Sequence, residues 1–243
     1  MNRQPLGKGY YINVSKNHTF GTDAVLLSDF ASVKKVKSHC DLGSGCGIIS
    51  MLLLTRGKLQ STVALEVQEE YAELTARNAE LNSLSDRLYT VCTDVREYKA
   101  NGEFDAVYTN PPYMKNDSGK ENNLSKKNIA RHEVMGDISD FCLAAKRLLK
   151  FGGAFYAVYR PDRMTDLIFA MREAALEPKR MTFVHADDRC EPSMLLVEAK
   201  LGGRSGMQIT RPLIIYKDKE HREYSDNMNY IMENGSFPDE FKR

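Results

Sequence analysis

Phe104-Asp105-Ala106-Val107-Tyr108-Thr109 runs directly into Asn110-Pro111-Pro112-Tyr113. The first six residues read as a buried strand. The prolines cannot extend it, because each fixes φ and carries no backbone N–H. Asn110 precedes a proline and is pushed out of the α region. The chain therefore turns rigidly at the strand's carboxyl end, the edge at which open α/β sheets bind ligands. The turn offers an amide side chain, two carbonyls that cannot be drawn into a helix, and an aromatic ring. That set suits a flat ligand bearing an amino group: the amide oxygen and a proline carbonyl accept from its N–H groups while the ring stacks on its plane. Taken alone, the tetrapeptide also reads as a rigid turn before a surface loop, and its context decides.

Upstream, residues 36–42 form a first core strand ending at Asp41-Leu42, followed by Gly43-Ser44-Gly45-Cys46-Gly47 and a buried apolar helix from Ile48. Thr62-Val63-Ala64-Leu65-Glu66 is a second strand. A helix over 68–82 turns Ala72, Ala76, Ala79 and Leu81 to the sheet. A third strand, 88–92, ends in Thr93-Asp94. Downstream, a helix over 138–150 is ended by Gly152-Gly153, a strand covers 154–159, and Pro161 opens a helix to about residue 175. Residues 181–184 and 194–199 are two more strands with no helix between them, hence antiparallel. The alternation from 36 to 175 predicts a doubly wound, mostly parallel α/β sheet, Rossmann-like, with an antiparallel edge strand. Before it, residues 3–16 read as a hairpin, and Thr22 or Asp23 caps a helix carrying Ala24, Leu27 and Ala31. The expected division is 1–35 as a hairpin and helix over the site, 36–203 as the main domain, and 204–243 as a charged extension that packs poorly except at Tyr224, Met228, Tyr230 and Ile231.

Gly43, Gly45 and Gly47 lie between a strand and a helix, where a nucleotide can approach backbone closely. A dinucleotide fingerprint wants G-x-G-x-x-G/A; here the third glycine comes one position early and Ile48 stands where glycine or alanine belongs. Asp41 before the loop suits a ligand with an ammonium group better than a pyrophosphate. Glu66 ends the second strand, where an acid reaches ribose hydroxyls. Asp94 ends the third strand and Asn110 the fourth. Each alone is as readily a cap or turn residue; four polar groups delivered to one sheet edge make a site.

The 243 residues carry a formal net charge of +1, so no global basic field announces a polyanionic partner. The five cysteines are scattered without a C-x-x-C, which argues against a disulfide framework or zinc site and fits a reducing cytoplasm. Residues 1–16 have no apolar core of signal type, and no apolar run approaches the roughly 20 residues that span a bilayer. We therefore expect a cytoplasmic protein without membrane or metal partners, a monomer or weak dimer.

Asp41-Leu42-Gly43-Ser44-Gly45-Cys46-Gly47, Glu66, Asp94 and Asn110-Pro111-Pro112-Tyr113 resemble the motifs of class I S-adenosylmethionine-dependent methyltransferases that act on amino groups. Phe20-Gly21-Thr22-Asp23-Ala24-Val25-Leu26-Leu27, Ala76-Arg77-Asn78 with Asn82, Arg131-His132-Glu133 and Glu198-Ala199-Lys200-Leu201-Gly202-Gly203 resemble the bacterial tRNA-valine (adenine-N6) methyltransferase family. The resemblance runs from about residue 5 to 203. It implies S-adenosyl-L-methionine as cofactor and tRNA as partner. It implies that Asp41 with the backbone of Gly43, Ser44, Gly45 and Gly47 holds the methionine end, under a cover of Phe20, Thr22 and Asp23. Glu66 takes the ribose hydroxyls. Asp94 binds the adenine amino group, with Val67 and Val95 against the ring. Asn110 and the Pro111 carbonyl bind the target amino group, Pro112 stiffens the turn, and Tyr113 stacks on the target base.

The same turn serves methylation of guanine N2 in ribosomal RNA, adenine in DNA, or a glutamine amide in protein. A non-catalytic cofactor-binding protein and a nicotinamide dehydrogenase are the readings of other classes; the intact turn opposes the first, and the glycine spacing with Asp41 opposes the second. Residues 114–128 read as a mobile, locally basic loop. Its Lys115, Lys120, Lys126 and Lys127, with Arg160, Arg163 and Arg180, are the candidate phosphate contacts. His132 reads as a structural histidine before a substrate contact.

Overall fold

Parallel strands buried on both faces are spelled as near-continuous apolar runs. Five parallel strands, four of them inside the sheet, lead it in the computed structural model, which describes residues 2–15, 20–31, 38–111 and 136–242. They are β3 (His39–Leu42), β4 (Thr62–Glu66), β5 (Leu88–Cys92), β6 (Phe104–Thr109) and β7 (Leu149–Tyr159). Two short strands, β1 (Asn2–Gly7) and β2 (Tyr10–Val14), precede them as a separate antiparallel hairpin. The spatial order is β5-β4-β3-β6-β7, all parallel. After β3 the chain steps outward to β4 and β5, then returns to the other side of β3 for β6 and β7. The order thus reverses between β3 and β6, where Asp41 pairs with Tyr108 and Leu42 with Thr109. A crevice opens at such a reversal, outside the carboxyl ends of the two strands. Here those ends are Gly43 and Asn110.

Beyond β7 lie β9 (Pro192–Leu201), antiparallel to it, and then β8 (Leu176–His185), antiparallel to β9. Two-residue strands β10 (Gln208–Ile209) and β11 (Leu213–Ile214) run alongside β8. Along each central strand, successive side chains enter different cores: Ala106 and Tyr108 join one apolar cluster and Val107 the other. Helices α1 (Thr22–Phe30), α2 (Ile48–Thr55) and α3 (Glu69–Leu81) pack into the first; α4 (Ile138–Leu148) and α5 (Met164–Glu173) pack into the second.

Several expectations are corrected. In α3 the buried residues are Ala72, Leu74, Thr75, Asn78 and Ala79, while Ala76 and Leu81 are exposed. The helix has a second neighbour, the hairpin, and polar residues meet it. Asn78 Oδ1 accepts the Asn13 N–H at 2.8 Å and its Nδ2 donates to the Asn13 carbonyl at 3.0 Å. One turn on, Asn82 does the same to Tyr11, at 2.9 and 2.7 Å. Two side-chain amides thereby satisfy a strand edge that would otherwise lie unpaired.

Gly152-Gly153 does not end α4, which stops at Leu148 and passes straight into β7. Phe104 pairs with Leu149 and Ala106 with Ala154, so β7 loops out between them. A Cβ on Gly153 would sit 2.8 Å from the Lys150 carbonyl oxygen, which is why glycine occupies that loop. The cap of α1 is Gly21, with neither Thr22 nor Asp23 bonding as an N-cap.

The charged tail is also part of the core. Leu213, Ile215, Met228, Ile231, Phe237 and Phe241 are buried with α1 and α2, whereas Tyr224 and Tyr230 are about 40% exposed, at 40% and 41%. Helix α6 (Asp226–Asn234) is capped by Ser225, whose hydroxyl accepts the Met228 N–H. Arg180, expected on the surface, is fully buried. Its guanidinium lies 3.8 Å from the Phe30 ring centroid and donates to Glu198, to the Phe30 carbonyl at 2.7 Å and to the Phe241 carbonyl at 2.9 Å. It ties β8 to α1 and to the tail, which removes it from the candidate phosphate contacts.

Candidate active site

The backbone of the glycine loop folds against β4. Gly43 and Ser44 N–H both donate to the Leu65 carbonyl, at 2.9 and 3.0 Å. Gly43, Gly45 and Gly47 all have positive φ, at 69°, 57° and 81°, a region other residues enter at a cost. Space also excludes side chains: a Cβ on Gly47 would lie 2.8 Å from Thr75 Cγ2, and one on Gly43 would lie 3.3 Å from the Phe141 ring. Thr75 fastens the loop from α3, its hydroxyl donating to the Gly45 carbonyl at 2.8 Å.

The loop roofs a cavity of about 300 Å³ at the reversal between β3 and β6. Glu66 is its main polar wall. One carboxylate oxygen accepts the Gly45 N–H and the other the Gln68 N–H, each at 2.9 Å. These bonds hold the carboxylate still, with lone pairs left for a ligand's hydroxyls. Asp94, Val95 and Val67 stand on the same wall, with Phe141 and Tyr71. Asp94 is gripped by Arg96, which donates to both carboxylate oxygens and keeps the carboxyl below the usual aspartate range. That pair is partly exposed, so a ligand amino group can compete for the Asp94 oxygens with little loss. From α1 and the residues just before it come Phe20, Gly21, Asp23 and Ala24; from the turn after β6 come Asn110 and Pro111. Asn110 Nδ2 donates to Asp23 Oδ2 at 2.8 Å.

Of the residues expected at a cofactor site, Phe20, Asp23, Gly43, Ser44, Gly45, Glu66, Val67, Asp94, Val95 and Asn110 line this cavity. Asp41 lies beneath it, 1% exposed. Its Oδ2 accepts from the Ser50 hydroxyl at 2.8 Å and N–H at 3.3 Å, and burial raises its pKa to about 6. It anchors α2 under the loop. Gly47 acts through the turn into α2. Thr22 opens onto a neighbouring cleft of about 1100 Å³, walled by Tyr159, Arg160, Pro161, Phe183 and Met194, which shares Gly21 and Asp23 with the cavity. Pro112, Tyr113, residues 114–128 and His132 lie outside the described residues. Arg160 and Arg163 are half-buried beside that cleft and near it, paired with Asp162 and Asp166. Tyr71, Gln68, Phe141 and Ile49 line the cavity without having been foreseen. Phe141 reads in sequence as one more apolar residue of a helix face; the loop's need for glycine at 43 was its only signal.

The cavity fits a nucleoside carrying an amino-acid tail. It is lined by carboxylates and glycine-loop backbone together with aliphatic and aromatic side chains that suit a flat ring. Ser44 Oγ is buried on the cavity wall with no hydrogen-bond partner, a polar atom that a ligand would satisfy. Among the described residues, no group of three His, Cys, Asp or Glu residues is placed to hold a metal ion, and no helix is long and apolar enough to cross a membrane. Cys40, Cys46 and Cys142 are buried free thiols, with burial pushing Cys46 to about 11 and Cys142 to about 12.

A family model for the methyltransferase small domain matches residues 15–172. The chain belongs to that family. The matched span holds the loop, Glu66, Asp94 and the Asn110 turn. Curated relatives include the tRNA1(Val) (adenine(37)-N6)-methyltransferases of Phocaeicola vulgatus, 28% identical over 183 residues (74% of this chain, 76% of that protein), and of Aliivibrio salmonicida, 24% identical over 202 residues (83% and 86%). Among solved structures, a predicted O-methyltransferase from Agrobacterium tumefaciens superposes with a TM-score of 0.72 at 21% identity, covering 89% of this chain and 98% of that one. The geranyl diphosphate C-methyltransferase of Streptomyces coelicolor shares the fold at a TM-score of 0.54 and 13% identity, over 73% of this chain and 79% of its own. This methyltransferase thus has the mostly parallel, doubly wound sheet of its fold class, with the antiparallel strands toward one edge.

Proposed function

We propose that the protein methylates the exocyclic N6 of an adenine in tRNA, with S-adenosyl-L-methionine as the methyl donor. The observation that carries this reading is the junction of the nucleoside-sized cavity with the Asn110-Pro111 turn at the point where strand order reverses. The names of the curated relatives supply the acceptor, and adenine 37 of tRNA1(Val) is the first position to test.

When bound, S-adenosylmethionine supplies a methyl group activated by its sulfonium. The chain supplies orientation. Glu66 holds the ribose hydroxyls and Asp94 the adenine amino group, with Val67 and Val95 against the ring. Phe20 covers the other end, as part of an N-terminal segment that closes the site. The target amino nitrogen is a poor nucleophile, because its lone pair is delocalised into the base. Accepting its two hydrogens at Asn110 Oδ1 and the Pro111 carbonyl localises that lone pair on the nitrogen. Proline suits this place because it offers a carbonyl and no N–H. The methylated nitrogen then releases a proton to water, since neither an amide nor a carbonyl oxygen is basic enough to keep it. Tyr113 stacks on the base, worth about 1–3 kcal/mol. An adenine already unpaired in an RNA loop costs little to turn out. In this reading the enzyme works in the cytoplasm as a monomer or weak dimer, and Arg160 and Arg163 exchange their aspartate partners for phosphates.

The test is methyl transfer from labelled S-adenosylmethionine to total tRNA, ribosomal RNA, DNA and protein extract in parallel. Label in tRNA supports the proposal. Label confined to another acceptor keeps the chemistry and discards the substrate. Cofactor binding without transfer to any of them overturns the enzyme reading.

A further inference from the structure

The side-chain amide of Asn110 has two unlike ends. Its oxygen accepts hydrogen bonds and its nitrogen donates them. The chemistry proposed above needs the oxygen end toward the acceptor's amino group. Half a turn of the amide would aim donors at donors. The orientation is settled from α1, across 87 residues of sequence: Asn110 Nδ2 donates to Asp23 Oδ2 at 2.8 Å. A carboxylate oxygen only accepts, so Asp23 can hold only the nitrogen end. Asp23 is itself fixed, its Oδ1 accepting the Ala24 N–H at 2.8 Å in the first turn of α1. Gly21 guards that arrangement, since a Cβ there would come 2.8 Å from Asp23 Oδ1. Asp23 lines both the cavity and the neighbouring cleft, so it stands where the two meet.

We propose that Asp23 is a positioning residue for methyl transfer, acting through Asn110 by fixing which end of its amide faces the acceptor amino group. This rests on the methyl-transfer reading above and gives Asp23 a part in the chemical step in place of the cofactor-covering part that the resemblance alone implies.

The experiment compares Asp23→Asn, Asn110→Asp, the double variant and Gly21→Ala. Measured for each are kcat and KM at saturating S-adenosylmethionine, and Kd for S-adenosylhomocysteine. In Asp23→Asn, an asparagine that keeps its oxygen on the Ala24 N–H turns its NH2 to Asn110, which must answer with its oxygen. Its own NH2 then faces the acceptor. A loss of roughly 100-fold in kcat is expected, the scale of removing one oriented hydrogen-bonding group at a reacting centre. The Kd should stay within about twofold, because the lost interaction acts in the transition state. Gly21→Ala should lower kcat in the same direction. In the double variant the new asparagine at 23 donates to the new aspartate at 110, whose second oxygen again accepts from the substrate. That swap should recover at least about tenfold over either single change, a coupling a merely structural role would not produce. Unchanged kcat with weakened S-adenosylhomocysteine binding in Asp23→Asn would overturn the proposal, as would a double variant no better than the singles. If the wild-type protein methylates no acceptor, the reading above has failed, and unfolding midpoints of Asp23→Ala, Asn110→Ala and both together decide the pairing itself: non-additive shifts support it and additive shifts overturn it.

Discussion

Glu66→Gln changes one atom at the site's main polar wall, and its effect can be worked from two hydrogen bonds. Both oxygens of Glu66 are occupied by backbone donors, Gly45 N–H and Gln68 N–H, each at 2.9 Å, and the residue is 4% exposed. Glutamine keeps one acceptor and turns an NH2 toward the other N–H. One of the two donors must then lose its partner, and no rotation of the amide avoids it. A hydrogen bond to a charged group is worth about 1.5–3 kcal/mol net. If Gly45 loses its anchor, the loop's backbone shifts away from the ligand; if Gln68 does, the carboxamide swings off the wall. Either way the ligand's hydroxyls meet a donor where an acceptor stood. The Kd for S-adenosylhomocysteine should rise about 10- to 150-fold at 1.4 kcal/mol per decade. Isothermal calorimetry with S-adenosylhomocysteine measures it, with circular dichroism to confirm the fold. A rise smaller than about threefold would refute the assignment of Glu66 to the ligand and the loop.

Arg180→Ala leaves Glu198 facing a buried gap and strips two carbonyls of their donor, so a loss of about 3–5 kcal/mol and a fall in Tm of roughly 6–20 °C are expected in a thermal melt; a surface arginine would move it by under a degree or two. Asp41 titrates near pH 6 because of burial, against an ordinary value of 3.8. The folded state therefore holds this proton more tightly than the unfolded state does, and the associated stability is full below about pH 4 and lost as pH rises through 6, about 3 kcal/mol in all. Asp41→Asn should remove that slope from urea denaturation run between pH 4 and 7, and superimposable slopes would contradict it. Gly47→Ala puts a Cβ against Thr75 at positive φ, whereas Gly57 has positive φ with open space around it. The first change should cost about 1–3 kcal/mol more than Gly57→Ala and weaken cofactor binding; equal costs would show that Thr75 yields freely.

Much of the architecture is legible because buried parallel strands and glycine turns leave strong local signatures. The apolar runs of β3, β4 and β6, the Gly43-Ser44-Gly45-Cys46-Gly47 loop and the double proline after Asn110 each constrain the backbone by themselves. Antiparallel pairing of β8 and β9 follows from the missing helix between them. What was illegible depends on partners far along the chain. Arg180 reads as surface charge until Glu198, Phe30 and Phe241 converge on it. Phe237 and Phe241 sit in a polar stretch without periodicity, yet Phe237 meets the Phe30 ring edge-on at 5.5 Å. Asn78, buried, and Asn82, half-buried, act as strand surrogates, a role helical periodicity cannot express. The bond from the Ser50 hydroxyl to one oxygen of Asp41 below the loop is likewise set by a partner nine residues on. The Asp23–Asn110 contact joins two motifs whose pairing no spacing announces.

The most direct measurement of the central claim is the identity of the methylated nucleoside. Label transferred from S-adenosylmethionine to tRNA is digested to nucleosides and resolved by liquid chromatography with mass spectrometry. The expected product is N6-methyladenosine, lost in Asn110→Ala with cofactor binding retained. Label recovered as a ring-nitrogen, carbon or ribose methylation would contradict it, because the Asn110-Pro111 turn presents two acceptors and can activate only a group that carries two hydrogens.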